Sequence, residues 1–233
     1  MRTAKLVFLA ALIPTAAFAQ TCPEPLASAQ RLVLVSSDGF TEKSATVQRY
    51  ERTGSSWRAV GTAVPALIGH NGMGWAQAFR TLAQRGEPVK AEGDKKAPAG
   101  FYKIGASFGF APSQKSNYLH VKDGTVCVDD AASPAYNTIT TRAVVGAAVH
   151  GENMWRVPAY RRGLLVDYPS DAKNRAGSCI FVHLRLPDAK GTSGCVALTE
   201  ADLIAVQEFA EPGAVLGIVP REARRRLAAC LPN

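Results

Sequence analysis

The sequence predicts a mostly β fold with a few helices. Three observations carry this. Short runs of apolar and β-branched residues recur along the chain, they are separated by Gly, Asp and Asn turn signals, and only two stretches show apolar residues at helical spacing. In order, "RLVLV" (31–35) is a short apolar strand followed by a turn at Asp38-Gly39. "SATVQRYER" (44–52) alternates as a half-buried strand does and leads into Thr53-Gly54. Asn71-Gly72 and Asp123-Gly124 are further hairpin-type signals. "GLLVDY" (163–168), "CIFVHLRL" (179–186) and "AVLGIV" (214–219) read as buried or half-buried strands. The two helices are "GWAQAFRTLAQRG" (74–86) and "TEADLIAVQEFAEPG" (199–213). In the second, Thr199 and Asp202 are spaced as a capping box, Leu203, Val206 and Phe209 share a face, and Pro212-Gly213 stops it.

The N-terminus "MRTAKLVFLAALIPTAAFAQ" has a basic start, a short apolar stretch and a small-x-small site at Ala17-Phe18-Ala19. That pattern is a secretory signal peptide, residues 1–19, with cleavage after Ala19; the apolar run is too short for a spanning helix. Gln20 and Thr21 before Cys22 do not suit lipid attachment, and no other segment is apolar enough to span a membrane. Residues 20–233 then form one domain, with no linker rich enough in Pro, Gly or Ser to divide them and an apolar content of 47% for a core. Loss of Arg2 and Lys5 with the leader lowers the formal charge from +8 to +6. A basic exported protein is drawn to anionic polymers, here the cell wall and membrane surface rather than nucleic acid. The basic tail "REARRRLAAC" (221–230) reads as a solvated helix face.

Several chemistries lack their residues. The four histidines, His70, His120, His150 and His183, are scattered, no CxxC exists, and Cys127 with Asp129 and Asp130 is a corner without companions, so no metal is expected. No phosphate-cradling glycine loop and no GxSxG elbow is present. What remains is thiol chemistry. The chain has five cysteines, and in an oxidising compartment four can pair while one is left over. Cys195 differs from the rest because it follows Thr192-Ser193-Gly194 and precedes a capped helix. Small residues there allow a sharp turn whose amides face a substrate carbonyl as an oxyanion hole. A thiol also needs a base, and His183 lies twelve residues upstream in a strand. Alternation puts Phe181, His183 and Arg185 on one face and Ile180, Val182 and Leu184 on the other, toward the core. Taken singly, His183 reads as a structural histidine and Cys195 as a disulfide half or an apolar filler before either reads as catalytic.

Taken together, "IFVHLRLPDAKGTSGCVAL" (180–198) resembles the signature of the L,D-transpeptidase (YkuD-type) catalytic domain: a strand histidine, a loop, then Ser/Thr-x-Gly-Cys. "KAEGDKKAPAGFYKIGASFGF" (90–110), "CVDDAASPAYNT" (127–138), "ENMWR" (152–156) and "YRRGLLVDYP" (160–169) extend the resemblance over roughly residues 28–220. The resemblance implies a β-sandwich and an exported, periplasmic cysteine acyltransferase of peptidoglycan stem peptides, without metal or organic cofactor. Carried over, Cys195 is the nucleophile, His183 moves the proton, the amides of Ser193, Gly194 and Cys195 are oxyanion donors, and Thr192 shapes the turn. The acyl group passes to an amine of a second stem peptide or a wall-anchored protein. Many members carry His at the position of Ser193 and Arg or Asn at that of Ala197; Arg185 is the substitute source of positive charge at the substrate. The expected disulfides are Cys22–Cys230 and Cys127–Cys179, with buried free thiols as the alternative. The rival functions are a peptidase using the same thiol with water and a non-catalytic wall-binding module.

Overall fold

One long strand organises the molecule. The computed structural model describes residues 22–210 and 213–232, so the expected leader lies outside the described residues. The strands are β1 Arg31–Ser36, β2 Ser44–Thr53, β3 Ser56–Leu67, β4 Met73–Trp75, β5 Ala97–Gly109, β6 Tyr118–His120, β7 Thr125–Cys127, β8 Ile139–Thr141, β9 Glu152–Asn153, β10 Arg162–Val166, β11 Phe181–Leu184, β12 Val196–Leu198 and β13 Val215–Ile218. The helices are α1 Arg142–Val145, α2 Glu200–Ala210 and α3 Arg221–Arg226. Among the described residues this is mostly β with few helices, as the sequence predicts.

The expected sandwich is corrected by the topology. Among the described residues eight strands run β10-β11-β12-β3-β2-β1-β13-β5, and β5 pairs back onto β10, closing a barrel. The physical reason is the length of β5, 13 residues against a usual strand of about five or six. Its Gly100–Lys103 half pairs with β13, and its Ile104–Gly109 half pairs with β10 across a register shift at Leu164/Val166. A strand that long, with a bulge in its partner, joins what would otherwise be two open edges. Closure leaves no edge there for another chain to pair with.

Leu32, Leu34, Phe101, Leu164, Val182 and Val196 belong to the main core. β1 is buried along its length, which suits its unbroken apolar run. β2 and β3 form a hairpin with Thr53 opposite Ser56, and Gly54 there takes φ 60. The other predicted hairpin signals are turns of a different kind. Asn71-Gly72 leads into β4, which pairs in parallel with β5, and Asp123-Gly124 connects β6 and β7, which lie in different sheets.

The predicted helix over 74–86 is replaced by β4 and a 3-10 turn, Gln77–Leu82. Trp75 bonds the backbone on both sides, its N–H to Pro88 and its carbonyl to Lys90, so tertiary pairing overrides the local spacing. α2 forms as predicted and ends at Ala210, burying Leu203, Val206 and Phe209. Thr199 Oγ1 accepts the Asp202 amide at 3.3 Å and donates to its carboxylate at 2.5 Å, a variant of the capping box. The basic tail is only partly a solvated face. Arg221 is exposed and pairs with Asp38, but Arg226 is turned inward onto Glu87 at 2.7 Å.

A second, smaller core lies against β10 and β11. It unites Phe108, Val121, Cys127, Met154, Tyr160, Phe181 and Cys195. The small sheet β8-β7-β9 supplies its other side. Both expected disulfides are present: Cys127–Cys179 ties this small sheet to the approach to β11, and Cys22–Cys230 ties the two ends of the described chain. Cys195 is the free cysteine among the described residues.

Candidate active site

The position of the site follows from one strand pair. β11 and β12 run in parallel, with Val182 opposite Val196 and His183 opposite Ala197. Side chains two residues apart on a strand share a face, so Cys195, two before Ala197, lies on the His183 face, diagonal to it. The alternation read from the sequence holds. Ile180, Val182 and Leu184 enter the main core, while Phe181 and Cys195 enter the second core. His183 and Cys195 both line a cleft of about 570 Å³.

The turn before Cys195 is held by Thr192. Its Oγ1 accepts the Gly194 N–H at 3.1 Å and donates to the Cys195 carbonyl at 2.7 Å. Backbone bonds from Thr192 N–H to Ile68 and from His70 N–H to the Thr192 carbonyl pin this loop to the segment after β3. Gly194 has φ 142, and a Cβ there would lie 2.9 Å from the Lys96 carbonyl oxygen, so the turn requires glycine. The expected trio of oxyanion donors is thereby corrected: the Gly194 amide is occupied by Thr192. Ser193 is exposed, lines the cleft, and its amide has no hydrogen-bond partner among the described residues.

Cys195 is 6% exposed. Its Sγ accepts the Phe181 N–H at 3.3 Å and approaches the Cys179 carbonyl at 3.4 Å. Burial, followed by the nearby Glu152 carboxylate, pushes the thiol up to about 12, against the opposing influence of the Phe181 amide, the Tyr160 hydroxyl and the Lys90 ammonium. The resting sulfur is therefore a neutral thiol. His183 is also buried, and burial lowers its pKa, so the ring is neutral at physiological pH. Its Nδ1 lies 2.8 Å from the Leu184 carbonyl. A neutral ring so placed donates from Nδ1 and leaves Nε2 as a lone-pair acceptor. Arg185 is exposed at the rim, beyond the end of β11, with no ion pair among the described residues.

Sequence reasoning did not single out four further groups. Glu152, half-buried, accepts the Tyr160 hydroxyl at 2.7 Å. Tyr160 stacks edge-on against His183 with ring centroids 5.3 Å apart. Lys90, 2% exposed, pairs with Asp94 at 2.6 Å behind the site. Glu92 lines the cleft and accepts from the Ser178 hydroxyl at 2.7 Å. Glu152 and Tyr160 fall within "ENMWR" and "YRRGLLVDYP", and that placement was the available signal. Among the described residues no three His, Cys, Asp or Glu side chains are grouped to hold a metal ion, and no helix is long and apolar enough to cross a membrane.

No family model matches the chain, and no curated protein matches it. Among solved structures it is similar to the helical cell shape determining protein Pgp2 from Campylobacter jejuni. The match to a point mutant of that protein has 16% identity over 87% of this chain and 53% of that one, with a TM-score of 0.44. The match to the unmutated form has 20% identity over 86% of this chain and 52% of that one, with a TM-score of 0.42. The chain thus spans about half the length of these structures.

Proposed function

We propose that the protein is an exported L,D-transpeptidase, a cysteine acyltransferase acting on peptidoglycan stem peptides through Cys195. The observation that carries this reading is that the one free thiol and a buried histidine stand on the same face of β11–β12 and line the same cleft, while the other four cysteines are bound as disulfides. Two disulfides also support an oxidising compartment, here the periplasm.

In the proposed cycle, a stem peptide lies in the cleft with its scissile carbonyl over Cys195. His183 Nε2 takes the thiol proton as sulfur attacks that carbonyl, the one joining the L-centre of the diamino acid to the terminal D-alanine. The oxyanion receives the free Ser193 amide, a donor class worth about 3 kcal/mol in a preorganised site. His183 then returns its proton to the leaving D-alanine nitrogen, and the carbon–nitrogen bond breaks, leaving a thioester on Cys195. An acceptor amine, from a second stem or a wall-anchored protein, attacks the thioester; His183 takes its proton and passes it to the sulfur as the thiol leaves. Thr192 and Gly194 keep the turn in register through these steps. In this reading Arg185, exposed at the rim, supplies the positive charge for a substrate carboxylate.

Incubation of the mature protein with purified stem-peptide muropeptides, followed by mass spectrometry, tests this reading. Crosslinked dimers that disappear in Cys195→Ala are the expected result. Tripeptide products alone would assign water as the acceptor and make the protein a peptidase. Absence of both turnover and an acyl adduct would leave a non-catalytic wall-binding module.

A further inference from the structure

The cleft contains a carboxylate for which the proposed cycle has no use. Glu152 lies on β9, in the small sheet, and lines the same cleft as Cys195 and His183. Its Oε2 accepts the hydroxyl of Tyr160 at 2.7 Å. Tyr160 comes from the 3-10 turn Pro158–Arg161, and its ring packs edge-on against Phe108, Phe181 and His183, with centroids 5.8, 5.5 and 5.3 Å away. A donor held that firmly also fixes the carboxylate it bonds. Glu152 is thereby built into the cleft wall, one hydroxyl away from a ring stacked on His183.

What this carboxylate lacks is a cation. Its two oxygens offer about four acceptor sites when ionised. Tyr160 fills one, and no ion pair and no other hydrogen bond reaches the Glu152 side chain among the described residues. The other acids of the cleft are differently occupied. Glu92 accepts the Tyr136 and Ser178 hydroxyls on Oε2 and the Gly93 amide on Oε1, and Asp129 is paired with His150. Lys95 and Arg185, the lysine and arginine that line the cleft, are both exposed. A half-buried anion that no cation balances attracts one from the substrate. The geometry also selects the kind of cation. Among the described residues no three His, Cys, Asp or Glu side chains are grouped to hold a metal ion. A guanidinium fork needs both oxygens of a carboxylate, and Tyr160 already holds Oε2. A primary ammonium makes a single-point contact and suits the free Oε1.

We propose that Glu152 binds a primary ammonium of the substrate, the side-chain amine of the stem's diamino acid, through Oε1. The proposal rests on the reading of Cys195 as the nucleophile and deepens it, because it gives the cleft a preference for a cationic stem. That ammonium belongs either to the donor stem or to the acceptor stem. On the donor it keeps its protons and anchors the peptide. On the acceptor it gives one proton to His183 and attacks the thioester, as in the cycle above. No further bond is made or broken.

The test crosses the charge of residue 152 with the charge of the substrate, in the oxidised mature protein at neutral pH. In the donor arm, a tetrapeptide muropeptide with its side-chain amine free or N-acetylated is the acyl donor. Hydroxylamine, uncharged at that pH, is the acceptor, and D-alanine release is followed. In the acceptor arm, the acyl-enzyme formed from the acetylated donor meets hydroxylamine and a tripeptide stem together. Mass spectrometry reads the partition between hydroxamate and crosslinked dimer. If the donor ammonium is bound, wild type favours the free amine about tenfold in kcat/KM. Glu152→Gln then cuts that preference below about twofold. If the acceptor ammonium is bound, Glu152→Gln shifts the partition about tenfold toward hydroxamate. Each ratio compares two substrates on one protein, so a general loss of activity cancels. Glu152→Asp, which withdraws the carboxylate by one methylene, moves the same ratio in the same direction and replaces Glu152→Gln should that variant not fold. Ratios unchanged by the substitution in both arms would overturn the proposal. Absence of any acyl-enzyme in wild type would instead remove the nucleophile itself, and this site with it.

Discussion

Replacing each disulfide by a pair of serines separates stability from reactivity. Cys127–Cys179 closes a sequence separation of 52 residues and Cys22–Cys230 one of 208. Chain entropy assigns them about 4 and about 5 kcal/mol of stabilisation through the unfolded state. With a urea slope of about 2 kcal/mol per molar, both losses lower the denaturation midpoint by about 2 M, the terminal bridge slightly more. Reactivity should rank them the other way. Cys179 holds φ 56, donates its N–H to Asn137 Oδ1 at 3.0 Å, and places its carbonyl 3.4 Å from Cys195 Sγ. Freeing Cys179 removes an acceptor that favours the thiol. A contact of about 1 kcal/mol corresponds to roughly fivefold faster alkylation of Cys195. Cys230 instead lies in the main core, its carbonyl bonded to the Trp57 indole at 2.9 Å, outside the cleft. The paired assay is urea unfolding with alkylation kinetics under native conditions. Equal rate changes in the two double variants, or an unchanged rate in Cys127→Ser/Cys179→Ser, would refute the link between this bridge and the sulfur.

Three other outcomes follow. Gly194→Ala forces a side chain into φ 142 and against the Lys96 carbonyl, which should cost about 1–3 kcal/mol in thermal melting and depress muropeptide turnover more than tenfold. His183 has its folded pKa depressed by burial, so its contribution to stability is full above the unfolded value of 6.5 and is lost as pH falls through the depressed folded value. His183→Gln should flatten that acid limb in urea midpoints while abolishing acyl transfer. Glu152 has the opposite sign, because burial raises its pKa. Its contribution is full below the unfolded value of 4.5 and is lost as pH rises through the folded one, so Glu152→Gln should be more stable than wild type at neutral pH.

Much of this was legible in the sequence because it depended on period and spacing. The faces of β11, the course of α2 and the isolation of Cys195 follow from alternation, apolar spacing and an odd cysteine count. The disulfide pairs are those the resemblance led one to expect. What escaped were features set by distant pairing. The stretch after Asn71 has helical spacing, yet its backbone is claimed by β5 and by residues 88–90. Barrel closure depends on β5 reaching both β13 and β10, which no local pattern encodes. Glu152 and Tyr160 are ordinary residues in sequence and become part of the site only when β9 and the turn Pro158–Arg161 come together beside β11. The Gly194 amide looked available until the Thr192 hydroxyl was seen to occupy it.

The parallel ladder between β11 and β12 frees the outer part of the connection between them, ahead of Thr192, from any duty in spacing the reactive pair. His183 is registered to Ala197 by strand bonds, and residues 185–194 run between two fixed ends. Arg185, Leu186, Ala189 and Gly191 of that connection form the cleft rim. Lengthening or exchanging the exposed part around Pro187 and Asp188 would therefore redraw the entrance while leaving thiol and imidazole where they are. Substrate preference in this architecture is modular: a graft in the crossover can change which acyl donor is admitted without retuning the chemistry beneath it.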